Sequence, residues 1–204
     1  NVDEIFIWVD KDKLEKIINN ILSNAFKFTP ENETIDVRVL KENIGGNESC
    51  NIKCTNLTHP DLHFAFPVAN TDKVKSHAVS NHFMEEWRQF VKEQPYGNLF
   101  DWYQLIGIEK KQGQIGVDEA QDIVKKLSLK AYEGGYKIMI IWMADKMNTS
   151  AANKLLKLIE EPPDKTVLLL IADDEEQILQ TIRSRCQILQ FPPLAEDAIL
   201  EALL

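Results

Sequence analysis

Four sets of positions in this 204-residue sequence bear on chemistry. The first is Ser184-Arg185-Cys186, inside "TIRSRCQILQF". A guanidinium is always charged and can fork two phosphate oxygens. At a helix end it can equally pair with a nearby carbonyl or carboxylate. Cys186 could be drawn as a nucleophile, but a single Cys at a strand start reads as a small buried hydrophobe. The second set is Asn20, Asn24 and Lys27; the two Asn stand one helical turn apart and face the same way. The third is Cys50, Cys54, His59 and His63. A Cys₂His₂ zinc set can be drawn from them, but Cys54 to His59 is tighter than finger spacing and His63 falls in a strand pattern. The expectation is no bound metal and two free thiols. The fourth is a pair of absences. No G-x-x-x-x-G-K-[ST] loop is present to cradle phosphates, since "NIGGNES" has no Lys-Ser/Thr and no apolar helix after it. The buried strand "KIMIIWM" ends in Trp142-Met143, and neither side chain can bind a hard cation or accept a proton.

The elements that must hold these residues follow from periodicity. Residues 4–9, "EIFIWV", form a short apolar strand. Leu14, Ile17, Ile18, Ile21, Leu22 and Ala25 recur at helical spacing, with Pro30 as the stop. Residues 33–40 alternate as a strand. Residues 41–58 are polar and Gly/Asn-rich, a seam. Beyond it come a strand at 62–68, a loop at 71–81, and a helix in "HFMEEWRQFVKEQ" with Phe83, Trp87, Phe90 and Val91 on one face. An amphipathic helix, "GVDEAQDIVKKLSLKAYEGG", closes at Gly134-Gly135. Next are the strand "KIMIIW", the helix "NTSAANKLLKLIEEPP" ended by two prolines, and the strand "TVLLLIAD". The helix "DEEQILQTIRSR", the strand "CQILQF" and the start of a last helix complete the chain. Continuous apolar strands alternating with helices predict an α/β fold whose parallel sheet is covered on both faces.

Composition sets bounds. Hydrophobic residues make up 44% of the chain, enough for a core. A net charge of −9 argues against a broad basic surface that grips nucleic acid unaided. No run reaches the ~18 apolar residues of a membrane span. The acidic start with its short apolar run does not read as a signal peptide. Three Cys suit a reducing cytoplasm better than a disulfide framework.

From about residue 56 to 204 the wording is more specific. "HPDLHFAFP", "ADKMNTSAANKLLKLIEEPP" and "TIRSRCQILQFPPL" resemble the delta-prime subunits of the bacterial DNA polymerase III clamp loader, an AAA+ (P-loop NTPase-like) family that serves DNA replication. In ATP-hydrolysing relatives the strand matching "KIMIIWM" ends in Asp-Glu, which hold Mg²⁺ and prepare the attacking water. Trp142 and Met143 stand there instead, and Asp145 lies too far on to substitute. The resemblance implies a subunit without its own ATPase activity or cofactor. It implies that Arg185, with Ser184 and Cys186 around it, projects as an arginine finger into the ATP–Mg site of a neighbouring subunit. Arg183 matches no fixed family position. Other clamp-loader subunits, the sliding clamp and primer–template DNA are the implied partners. The family carries a four-Cys zinc module before "HPD", and the two Cys here do not reproduce its spacing.

"DKDKLEKIINNILSNAFKFTP" resembles the N-box of sensor histidine kinases. Asn20, Asn24, Ala25, Lys27, Phe28, Thr29 and Pro30 match N-x-x-x-N-A-x-K-[FY]-T-P. The resemblance implies that Asn24 helps hold Mg²⁺ at ATP and that Lys27 contacts its phosphates. The family's D-x-G-x-G box and Gly-rich lid have no counterpart here.

The expected organisation is thus a chimera. Residues 1–42 are the kinase-like fragment, 43–58 the junction, 59–194 an AAA+ clamp-loader-like domain without a P-loop, and 195–204 the start of a lid. A delta-prime domain would begin with a strand near the middle of the sheet, and that strand is missing. The expectation is that "EIFIWV" and the helix 12–28 fill the vacant strand and helix slots, with the strand beside residues 138–141. Besides the clamp-loader reading, the chain could be a truncated histidine kinase ATP-binding region. It could also be an inactive structural fragment, since the collar that holds such rings together would lie beyond Leu204.

Overall fold

Strands β3 (Lys137–Trp142) and β4 (Thr166–Ala172) carry the longest apolar runs, and they make the middle of the sheet. Alternate residues go to opposite faces of a strand. Accordingly Met139, Ile141, Leu168, Leu170 and Ala172 are buried, and their sequence neighbours are half-buried. The computed structural model describes residues 52–54, 56–94, 97–132 and 136–190 and the backbone of β1 (Glu4–Trp8). By contacts the chain divides into Asn1–Trp8 with Pro60–Leu204, and Val9–His59.

Five strands lie in the order β2-β3-β4-β1-β5, where β2 is Leu62–Ala65 and β5 is Gln187–Gln190. β2, β3 and β4 run parallel, with Leu62 opposite Ile138 and Lys137 opposite Thr166. This is the expected α/β parallel core. Two helices cover one face of it. One is Val117–Ser128 and the other Thr149–Glu160; with Met84–Glu93 and Leu99–Leu105 before them, they are α3 and α4 after α1 and α2. Ala151, Ala152, Leu155, Leu158 and Ile159 of α4 and Ala120, Ile123 and Leu127 of α3 join the strand residues in one core. Asn148 caps α4 by accepting from the Ala151 N–H at 2.9 Å. The helix ends at Glu160, because a residue before proline avoids the α region.

The strand at the N-terminus enters the sheet, but not where the sequence reading put it. β1 pairs with β4 on one side, Glu4 opposite Ala172, and with β5 on the other, Glu4 opposite Gln190. It does not lie beside residues 138–141. A strand has two edges, and those of β3 are taken by β2 and β4. It also runs antiparallel to both neighbours, so no right-handed crossover arises. Run this way, β1 leaves the sheet at the edge where β2, β3 and β4 begin. The helix 12–28 and the strand 33–40 lie outside the described residues.

Other boundaries also differ. α3 stops at Ser128, before Gly134-Gly135, because the Lys137 ammonium takes up its end: Nζ donates to the Leu127 carbonyl and, at 2.5 Å, to that of Leu129. The stretch read as one helix, 174–185, is a 3-10 turn at Glu175–Gln177 and a short helix α5 at Gln180–Arg183. Ile178 and Leu179 between them are extended or irregular, and Ile178 is buried. α2 was not foreseen; Asn98 caps it by accepting from the Phe100 and Asp101 N–H groups. On α1, Trp87 and Phe90 are buried as expected, but Val91 is 38% exposed.

Candidate functional site

Arg185 comes directly after Ser184, the C-cap of α5, in the turn that leads into β5. α5 is seated by Ile182, which is 1% exposed. The backbone N–H groups of Arg185 and Cys186 donate to the Ile182 and Arg183 carbonyls, at 2.9 and 3.1 Å. This leaves the Arg185 side chain on the surface, 37% exposed. Its Nη2 lies 2.7 Å from Glu160 Oε1, and its Nη1 donates to the Thr181 carbonyl at 2.7 Å and to Ser184 Oγ at 3.4 Å. Ser184 Oγ in turn donates to the same Thr181 carbonyl. The helix-end pairing that residue type alone allows is therefore formed. Glu160 is the partner that reading missed, and it belongs to the quoted "EEPP".

Arg183 is set differently. Its Nη1 reaches back to the Glu175 carbonyl at 3.5 Å, and its Nε is buried without a hydrogen-bond partner among the described residues. Cys186 packs half-buried against the core, and burial pushes its thiol up to about 11. A thiol so rarely ionised is a poor nucleophile at neutral pH. It sits here as a small hydrophobe.

At the tip of β3, Trp142 turns to the face opposite Met139 and Ile141. Its ring lies 5.2 Å from Trp87 and 5.7 Å from Phe90, centroid to centroid. Trp87 is the hub: Phe66 stacks on it at 4.3 Å and Trp102 meets it edge-on at 5.3 Å. Trp102 Nε1 donates to the Pro67 carbonyl at 2.8 Å, which satisfies the one polar group of that fully buried ring. Met143 takes a left-handed conformation, φ 56°, and is 4% exposed. Such backbone costs about 1–2 kcal/mol in a non-glycine residue, and burial of the thioether offsets it. Asp145 follows in a 3-10 turn with its side chain fully buried. Lys146 Nζ is 2.5 Å from its Oδ2, close enough for an ion pair although off the direction of a hydrogen bond. Positions 142 and 143 thus hold packing side chains, and the nearest acid is already paired.

Glu119 was also missed. It lies in the first turn of α3, 1% exposed, and its Oε2 accepts the Ser80 N–H at 2.5 Å. Ser80 Oγ accepts the Phe66 N–H and donates to the Phe66 carbonyl. This chain of bonds ties residues 66–80 to α3. Burial raises the Glu119 carboxyl to about 7, and the hydrogen bonds from Ser80 pull the other way.

The other candidates do not converge. Asn20, Asn24, Lys27 and Cys50 lie outside the described residues. His63 is on β2, where burial lowers its imidazole below the ordinary value. Among the described residues no group of three or more His, Cys, Asp or Glu is placed to hold a metal ion. Among them, too, no helix is long and apolar enough to cross a membrane.

A family model described as "DNA polymerase III, delta subunit" matches residues 37–195, well over half of the chain. The match starts upstream of His59 and overlaps residues 37–42 of the stretch read as kinase-like. The chain is similar to the DNA polymerase III subunit delta' of Yersinia pestis, 42% identical over 90 residues, covering 44% of this chain and 26% of that protein. It is similar to the subunit delta' of Bacillus subtilis, 40% identical over 98 residues, covering 48% and 28%. A crystal structure of a DNA polymerase III gamma subunit-related protein from Thermotoga maritima aligns at 28% identity with TM-score 0.39, covering 42% of this chain and 28% of that one. The matched stretches thus span about a quarter of the relatives' own length. On the extent of the family match, supported by these relatives, the chain belongs to the DNA polymerase III delta-prime subunit family.

Proposed function

We propose that this chain is a clamp-loader component that does not hydrolyse ATP and presents Arg185 to ATP–Mg bound by a neighbouring subunit of DNA polymerase III. The observation that carries the reading is the Arg185 guanidinium itself, on the surface, with Nη2 on one half-exposed carboxylate and Nη1 on the Thr181 carbonyl. Exposed ion pairs are worth about 0–1 kcal/mol, so exchanging Glu160 for a phosphate oxygen costs little. A planar fork suits two phosphate oxygens, and an arginine supplied in trans can be worth ~10³–10⁵ in rate. Ser184 orients the fork through its hydroxyl, and Cys186 anchors the turn beneath it. Trp142 and Met143 offer nothing to Mg²⁺ or to an attacking water, in keeping with a subunit that assists rather than hydrolyses. The partners on this reading are the other clamp-loader subunits, and through them the sliding clamp and primer–template DNA.

The test is ATP turnover by a purified clamp-loader ATPase subunit with clamp and DNA, with this chain added as wild type, Arg185→Ala or Arg185→Lys. Wild type should raise turnover. Arg185→Ala should not, and Arg185→Lys, which keeps charge but loses the fork, should recover little. Equal turnover with wild type and Arg185→Ala would sink the reading.

A further inference from the structure

β5 reaches the sheet through a single neighbour. Among the described residues Gln187–Gln190 pair only with β1, and β1 lies between them and β4. Adjacent strands stand about 4.8 Å apart, so without β1 the two flanking strands face each other across roughly twice that distance. No ladder can form over such a gap, and both would present rows of unpaired N–H and C=O groups. The strand in the slot runs antiparallel to both walls, so a plain extended segment meets the need, with no crossover helix attached. Its tie to the rest of the sheet runs through Val9–His59, a separate unit. Closing a long connection costs little more than closing a moderate one, so a strand held by it and a free peptide differ mainly in effective concentration.

We infer that the slot between β4 and β5 is a strand-acceptor site, filled here by Glu4–Trp8, and that its occupancy holds β5 and the C-terminal side of the Arg185 turn. Recognition is by backbone hydrogen bonds, as in other cases of strand addition. The occupant is a short extended segment of this chain, antiparallel to β4 and without proline at the ladder positions. From its other side the turn is fixed by Ile182 and by the Glu160 pair. Losing β1 therefore frees one end of the turn while the core of α3, α4, β3 and β4 stays. The effect on Arg185 rests on the proposed trans role; the acceptor slot does not.

The experiment is amide hydrogen exchange on the full chain, as wild type, Ile7→Pro and the milder Ile7→Gly, with and without a free peptide of residues 1–10. In Ile7→Pro the amides of 187–190 should exchange about tenfold faster, the scale of a lost ladder hydrogen bond, while those of 138–142 keep their protection. Saturating peptide should restore protection at 187–190. If 138–142 also lose protection in Ile7→Pro, Ile7→Gly is decisive, with a smaller rise at 187–190 reversed by peptide. Unchanged exchange at 187–190 in the folded variant, or no recovery with peptide, overturns the inference. Peptide-dependent protection in a chain that never stimulates ATP turnover leaves the acceptor slot standing and ends the trans-arginine reading.

Discussion

Arg185 Nη2 stands 2.7 Å from Glu160 Oε1, which joins the last residue of α4 to the turn after α5. "EEPP" and "SRC" are the two most specific motifs of the chain, and this pair brings them into contact. Both side chains are more than a third exposed, so the pair positions more than it stabilises. A double-mutant cycle on Arg185→Ala and Glu160→Gln, read by urea unfolding, should give a coupling below about 1 kcal/mol. On the proposed function, Glu160→Gln keeps or raises stimulated ATP turnover, because it removes a competitor for the guanidinium.

Glu119 gives the fold a pH dependence of known sign. Its folded-state value near 7 lies above its ordinary 4.5, so between those values the folded chain holds more protons than the unfolded one. Its contribution is fully present below pH 4.5 and is lost as pH rises through 7. Over that window the loss is on the order of 2–3 kcal/mol. Unfolding free energies of wild type and Glu119→Gln, measured at pH 5 and pH 8, should differ in this way: the variant gains on wild type as pH rises. A constant difference would show that the carboxyl does not titrate within the fold.

Trp87 is the ring that five other aromatics meet, at 4.3 to 6.1 Å. Trp87→Ala should cost about 3–5 kcal/mol, as large aromatic truncations in cores do. Trp142→Asp should destabilise too, by placing a carboxylate among these rings. It should bring no ATP hydrolysis, since no phosphate loop accompanies it. Thermal unfolding and a turnover assay check both.

Lys137 is 4% exposed and spends its ammonium on the end of α3. Lys137→Met keeps the length of the side chain but leaves the Leu127 and Leu129 carbonyls without that donor. The expected loss is about 1–3 kcal/mol, read by urea unfolding, with exchange rising first in the last turn of α3.

Cys186, held near 11 by burial, should react with an aromatic disulfide reagent about a hundredfold more slowly in the native chain than in urea at the same pH. Native labelling at the unfolded rate would place the thiol outside the core. Cys186→Ala should leave stimulated turnover intact, which separates the packing role from a chemical one.

The α/β class, the strands β3 and β4, the helix α4 and the absence of acids at 142 and 143 were all legible in the sequence. Each depends on residues close together in the chain: an alternation, a cap, a proline stop, a strand tip. Arg185 was legible as a candidate because its neighbours in sequence mark it. Its partner Glu160 was not, and neither were the Glu119–Ser80 bond nor the ring cluster built from residues 64 to 142. Those are meetings of distant positions, and local pattern carries no register between them. The place and direction of β1 were decided by tertiary structure alone. Alternation says that residues 4–8 want a sheet, but a backbone ladder can form on either edge and in either direction. The choice fell to the slot between β4 and β5, whose facing edges are paired with no other strand among the described residues.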